Sequence, residues 1–170
     1  MKPTLVTLIS TLMVLFPFAS FSETDGKVSR IQGAYSVPTP VHLKPYAFFP
    51  VEYQLSEQDG KKTIQYDLPE DLLGGRKVTI RLTEDGLDKD GRVHFGGHHS
   101  GAMCSMETVM HCDVGYRNFG ISQDEITDYI TQKYESFPSL AAGILNVALM
   151  FSGEPAGVIE LELPGPLDSR

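Results

Sequence analysis

The side chains able to hold a metal ion or carry a reaction crowd into residues 94–112. His94, His98, His99, Met103, Cys104, Met106, Met110, His111 and Cys112 all fall there. Imidazole, thioether and thiolate together suit copper, and His with Cys suits zinc. His98, His99 and His111 are the candidate metal ligands of this set. Spacing works against them: on an extended strand Met106, Met110 and Cys112 face one side and His111 the other. Methionine in a half-buried strand more often fills an uneven core.

The same stretch holds ingredients of nucleophilic catalysis. Ser100 stands beside His99, but a nucleophile elbow needs glycine two positions away on each side, where His98 and Ala102 stand. Cys112 beside His111 fails differently, because neighbours on a strand point to opposite faces and a disulfide would remove the thiolate. Asp88-Lys89-Asp90-Gly91 resembles a calcium loop only in part. The full pattern needs an acid at position 86 and a glutamate at 97, and both are glycine. Ordinary turn chemistry accounts for these residues. Gly74-Gly75 and Gly96-Gly97 are too short to cradle a phosphate.

Cys104 and Cys112 are the only cysteines, and they set two expectations against each other. From Cys104 to Tyr116, Cys, Met and other inward-facing types recur at every second position, the pattern of one long strand. A continuous strand would hold the cysteines about 26 Å apart, at about 3.3 Å per residue. A disulfide needs Cα atoms within about 7 Å. Residues 105–111 contain no Gly, Pro or Asn to announce a reversal. An oxidising compartment favours the bridge, and the chain must then turn near Glu107 and Thr108.

That compartment is read from the first 22 residues. Lys2 precedes an uncharged apolar run, Leu5 to Phe18, and small residues Ser20 and Ser22 precede Glu23. This is the pattern of a secretory signal peptide cut before Glu23, and the run is too short for a spanning helix. The expected location is the periplasm or the cell exterior, with a mature form that does not span a membrane. The chain carries a formal charge of −8, made one unit more negative by removal of Lys2. A surface of that sign repels nucleic acid, and a cationic protein or a small ligand is the partner it suits.

Several elements are expected to position these residues. Prolines at 38, 40, 45 and 50 suggest an extended arm over 23–50, ahead of a domain over 51–170. Asp59-Gly60 joins two alternating runs, 51–55 and 64–68, as a hairpin. Further strands are expected at 78–82, 93–95 and 159–163. Ser122 with Glu125 predicts a capped helix over 122–137, with Ile126, Tyr129, Ile130 and Phe137 on one face. Residues 140–151 are apolar on all sides and read as helix, although periodicity alone allows a strand. Together these predict an α+β fold: one domain, with an antiparallel sheet packed on one or two helices. Since each catalytic template fails, the expected role is binding. A copper- or zinc-handling protein is the alternative, and a hydrolase using His99 or His111 comes third.

Overall fold

In the computed structural model, which describes residues 28–38, 45–106, 109–153 and 155–163, each strand pairs with its neighbour in sequence. The strands are β1 (Val28–Pro38), β2 (Pro45–Gln58), β3 (Lys61–Asp67), β4 (Thr79–Leu87), β5 (Val93–Gly96), β6 (Ser100–Met106), β7 (Val109–Tyr116) and β8 (Ala156–Glu162). β8 then pairs with β1 through Gly33–Ser36, closing an antiparallel barrel. A single 3-10 turn, Glu70–Leu72, follows β3, and helices α1 (Gln123–Lys133) and α2 (Pro138–Gly153) lie between β7 and β8.

The expected α+β sheet packed on helices is therefore corrected to a barrel. Alternation identifies a half-buried strand but does not say which edges meet. Within the segment expected as a Pro-rich arm, residues 28–38 and 45–50 are paired barrel strands. Pro38 ends β1 and Pro45 begins β2, the positions where a missing N–H costs a ladder least. The expected signal segment, residues 1–22, lies outside the described residues.

The barrel is filled rather than hollow. Tyr35, Tyr53, Ile64, Tyr66, Leu82, Phe95 and Ile159 are buried inside it. Outward positions carry Arg30, Glu52, Arg81 and Glu160, all exposed. This polarity is the reverse of a lipid-facing barrel, whose outer band is apolar. Among the described residues no helix is long and apolar enough to cross a membrane. Beside the strands, Leu72, Leu73, Ile126, Ile130, Val147, Ala148 and Phe151 extend the same core.

Both conflicting cysteine arguments turn out to hold part of the truth. Cys104 and Cys112 are bridged, with Cα atoms 4.1 Å apart, and they sit opposite each other across a β6–β7 hairpin. The register pairs even residues with even ones, Met106 with Met110 and Ala102 with Val114. Reversal therefore leaves the two-residue alternation in phase, and one inward face runs through both strands. The alternation was real; only its continuity was not.

Other local expectations hold, apart from the end of the first helix. Asp59 (φ 53°) and Gly60 (φ 74°) both adopt positive φ between Gln58 and Lys61, the two-residue turn that fits strand twist. Ser122 caps α1 with both halves of the capping box formed, and Ile126 and Ile130 are buried. The helix ends four residues before Phe137, which is exposed instead of inward. Pro138 opens α2, where a missing N–H costs nothing.

Candidate functional site

The barrel wall is incomplete at one seam. β2 and β3 pair only from Gln58–Lys61 to Gln54–Gln65. Continuing that register would place Glu52 opposite Asp67, and Pro50 opposite Pro69. Like charges directly across a ladder repel, and two prolines offer no N–H to bond. The strands therefore part. β2 runs on against β1, and Tyr66 and Asp67 stay with Ile80 and Thr79 of β4.

A cavity of about 490 Å³ occupies the gap. Phe49, Pro50, Val51, Glu52 and Gln54 form one wall, Gln65, Tyr66 and Asp67 the other, and Pro69, Glu70, Asp71 and Lys133 the end. Four carboxylates thus face one ammonium. Three of the acids are anchored from the side. Glu52 lies 3.9 Å from Arg30 and accepts from Gln32 Nε2 at 3.4 Å, both on β1. Asp67 accepts from Thr79 Oγ1 and lies 3.2 Å from Lys77. The Thr79 hydrogen bond, with Lys77 beside it, holds the Asp67 carboxyl below the usual range, so it is charged at neutral pH. Asp71 accepts from Lys133 Nζ at 2.7 Å and from the Tyr134 hydroxyl at 2.9 Å. The Asp71 hydrogen bond pushes the Lys133 ammonium up and keeps it charged.

Tyr66 of the cleft wall belongs to a buried group of tyrosines inside the barrel. Tyr66 and Tyr116 join hydroxyl to hydroxyl, Tyr53 donates to the Ala34 carbonyl at 3.2 Å, and Tyr35 donates to that of Ala156 at 3.4 Å. Burial pushes all four phenols up, so each stays a neutral hydrogen-bonding group. Of the four, Tyr66 lines the cleft and brings a neutral group to its wall.

The histidines singled out from the sequence do not gather there or anywhere else. His98 and His99 meet at the β5–β6 turn, Nδ1 to Nε2 at 3.0 Å. His111 lies on β7 opposite Ser105, about 17 Å along β6 from Ser100 at about 3.3 Å per residue, and contacts Glu160 at 3.1 Å. The cysteine sulfurs are tied to each other inside the barrel. Among the described residues no group of three or more His, Cys, Asp or Glu is placed to hold a metal ion. Ser105 Oγ donates to the His111 carbonyl rather than its ring, and Ser100 is buried. Asp88 accepts from the amides of Asp90 and Arg92, the self-contained turn its sequence implies.

Comparison of the chain with family models, with curated proteins and with solved structures finds no match.

Sequence reading missed Glu52, Asp67, Glu70 and Asp71, yet a signal was present. A two-residue turn at Asp59-Gly60 fixes which residues face each other across the hairpin. Counting back from it meets the opposed carboxylates and then the opposed prolines.

Proposed function

We propose that this chain is an exported binding protein whose partner is cationic and enters the cleft between β2 and β3. One observation carries the reading: a cavity of about 490 Å³ whose lining holds four carboxylates and one ammonium. Its size falls within the roughly 300–1,000 Å³ of ordinary ligand sites. Its partly enclosed walls strengthen the attraction of charge compared with an open surface. The overall charge of −8 adds long-range steering of the same sign. Export is supported by the signal pattern before Glu23, and the Cys104–Cys112 bridge suits an oxidising compartment.

The direct test is titration with a short lysine-rich peptide, beside a glutamate-rich peptide of equal length. The lysine peptide should bind, weaken as salt rises, and lose affinity to protein carrying Glu52→Gln with Glu70→Gln. Equal binding by both proteins would remove the cleft as the site. Intact-mass measurement on the exported chain checks the location: residues 1–22 should be missing, and a retained Met1 would contradict export by this signal.

A further inference from the structure

Resting on that reading, we infer that the partner enters as an extended segment of alternating basic and apolar residues, added along the open edge of β2 as an extra strand. The inference starts from backbone geometry. In a two-residue hairpin the flanking pair, Gln58 with Lys61, exchanges hydrogen bonds, and bonding alternates along each strand. Even-numbered β2 residues therefore aim N–H and C=O at the seam. At Gln54 they meet β3; at Glu52 and Pro50 the ladder has ended. Pro50 fits this phase, because the donor it lacks would have pointed at the seam and not at Ala34 of β1. The Glu52 amide and carbonyl and the Pro50 carbonyl are thus presented to an incoming chain. Recognition of extended peptides at sheet edges works this way, with main-chain bonds giving affinity and alternate side chains giving selectivity.

Side-chain alternation then specifies the occupant. On β2 Glu52 is exposed and Val51 buried; on β3 Asp67 is exposed and Tyr66 buried. A strand laid between them turns every second side chain outward, beside Glu52 and Asp67, where a cation joins the pairs these carboxylates already form with Arg30 and Lys77. The intervening side chains turn inward, onto Phe49, Val51 and Tyr66, where an apolar group is matched. A second copy of this chain is a poor occupant, because both copies carry the same charge of −8.

Three labelled peptides of equal composition test this: alternating Lys-Val, the same sequence with alternate amides N-methylated, and a block of Lys followed by a block of Val. Fluorescence anisotropy should give the alternating peptide about tenfold tighter binding than either of the others, the expected effect of a couple of hydrogen bonds in register. Hydrogen exchange at the Glu52 amide should slow when it is bound. Equal binding by all three, weakened by Glu52→Gln with Glu70→Gln, would overturn strand addition and leave the cationic cleft standing. Failure of all three to bind would instead overturn the function proposed above. Sedimentation adds a further arm: a dimer that dissociates when the alternating peptide is added would mean that a second copy holds the edge, and the inference would fail.

Discussion

Tyr66 and Tyr116 share a hydrogen bond inside the barrel, and each is costly to leave alone. Tyr66→Phe removes one of the two tyrosine partners of the Tyr116 hydroxyl, leaving Tyr35, and should cost about 0.5–1.5 kcal/mol, the net worth of one hydrogen bond. Removing both hydroxyls should cost clearly less than the two single changes added together, which urea denaturation of the four proteins would measure. The same burial gives a pH dependence. Each phenol is raised above its usual value of about 10, so the folded state disfavours ionisation relative to the unfolded chain. Stability is full below about pH 10 and falls as pH climbs above it. Tyrosinate absorbance from these rings should therefore appear together with loss of near-UV circular dichroism. Ionisation with the fold intact would show the cluster to be open to water.

Among the elements, the β2–β3 hairpin is unusual in being designed to stop. Its turn specifies a register that would continue, and the residues two steps beyond the last pair forbid it. Placing a cation opposite Asp67 should reverse that. Glu52→Lys is expected to lengthen the ladder and to raise stability by about 0.2–1 kcal/mol, the scale of an opposite-charge cross-strand pair. The same change should abolish binding of a lysine-rich peptide. Exchange of the residue 52 amide slowing in the free variant is the measurement that decides it. An unchanged amide would mean that the two prolines suffice to hold the seam apart. Helix α1 shows the contrasting case, in which local chemistry and tertiary packing agree. Its Ser122–Glu125 box fixes the start, and Ile126 and Ile130 face the core as their spacing implies.

At the scale of the molecule, everything depends on β8 meeting β1. That junction leaves no room for a side chain at Gly33. A Cβ there would lie 2.6 Å from the Glu160 carbonyl oxygen and 2.9 Å from the Tyr53 ring. Backbone cannot yield as a flexible side chain can, so Gly33→Ala should cost about 1–3 kcal/mol, the usual penalty of overpacking. Hydrogen exchange should quicken selectively in β1 and β8. A uniform effect across all strands would mean that the barrel loosens as a whole rather than at its closing junction. Gly157 serves the same end from β8, since a Cβ there would fall 2.2 Å from the Tyr35 hydroxyl. Glycine at these two places lets large rings fill a closed barrel.

Local chemistry was legible because its causes lie within a few residues. The Asp59-Gly60 turn, the Ser122 cap and the inward set Cys104, Met110, Cys112 and Val114 each follow from spacing and residue type, whereas residues 140–151, helical in the structure, had no period to separate helix from strand. The disulfide was legible from two cysteines and the signal-like pattern of residues 1–22, although its compatibility with the alternation was not. That needed the register, in which even residues face even ones across the turn. β1 was obscured by the prolines around it, which mark its end and the start of β2. Closure of the sheet lay beyond any local pattern, because it depends on strand twist and stagger summed over eight strands. The cleft belongs partly to each level. Opposed carboxylates and prolines make the seam part, and they stand in the sequence; only the tertiary structure brings Lys133 to the end of the opening beside Asp71.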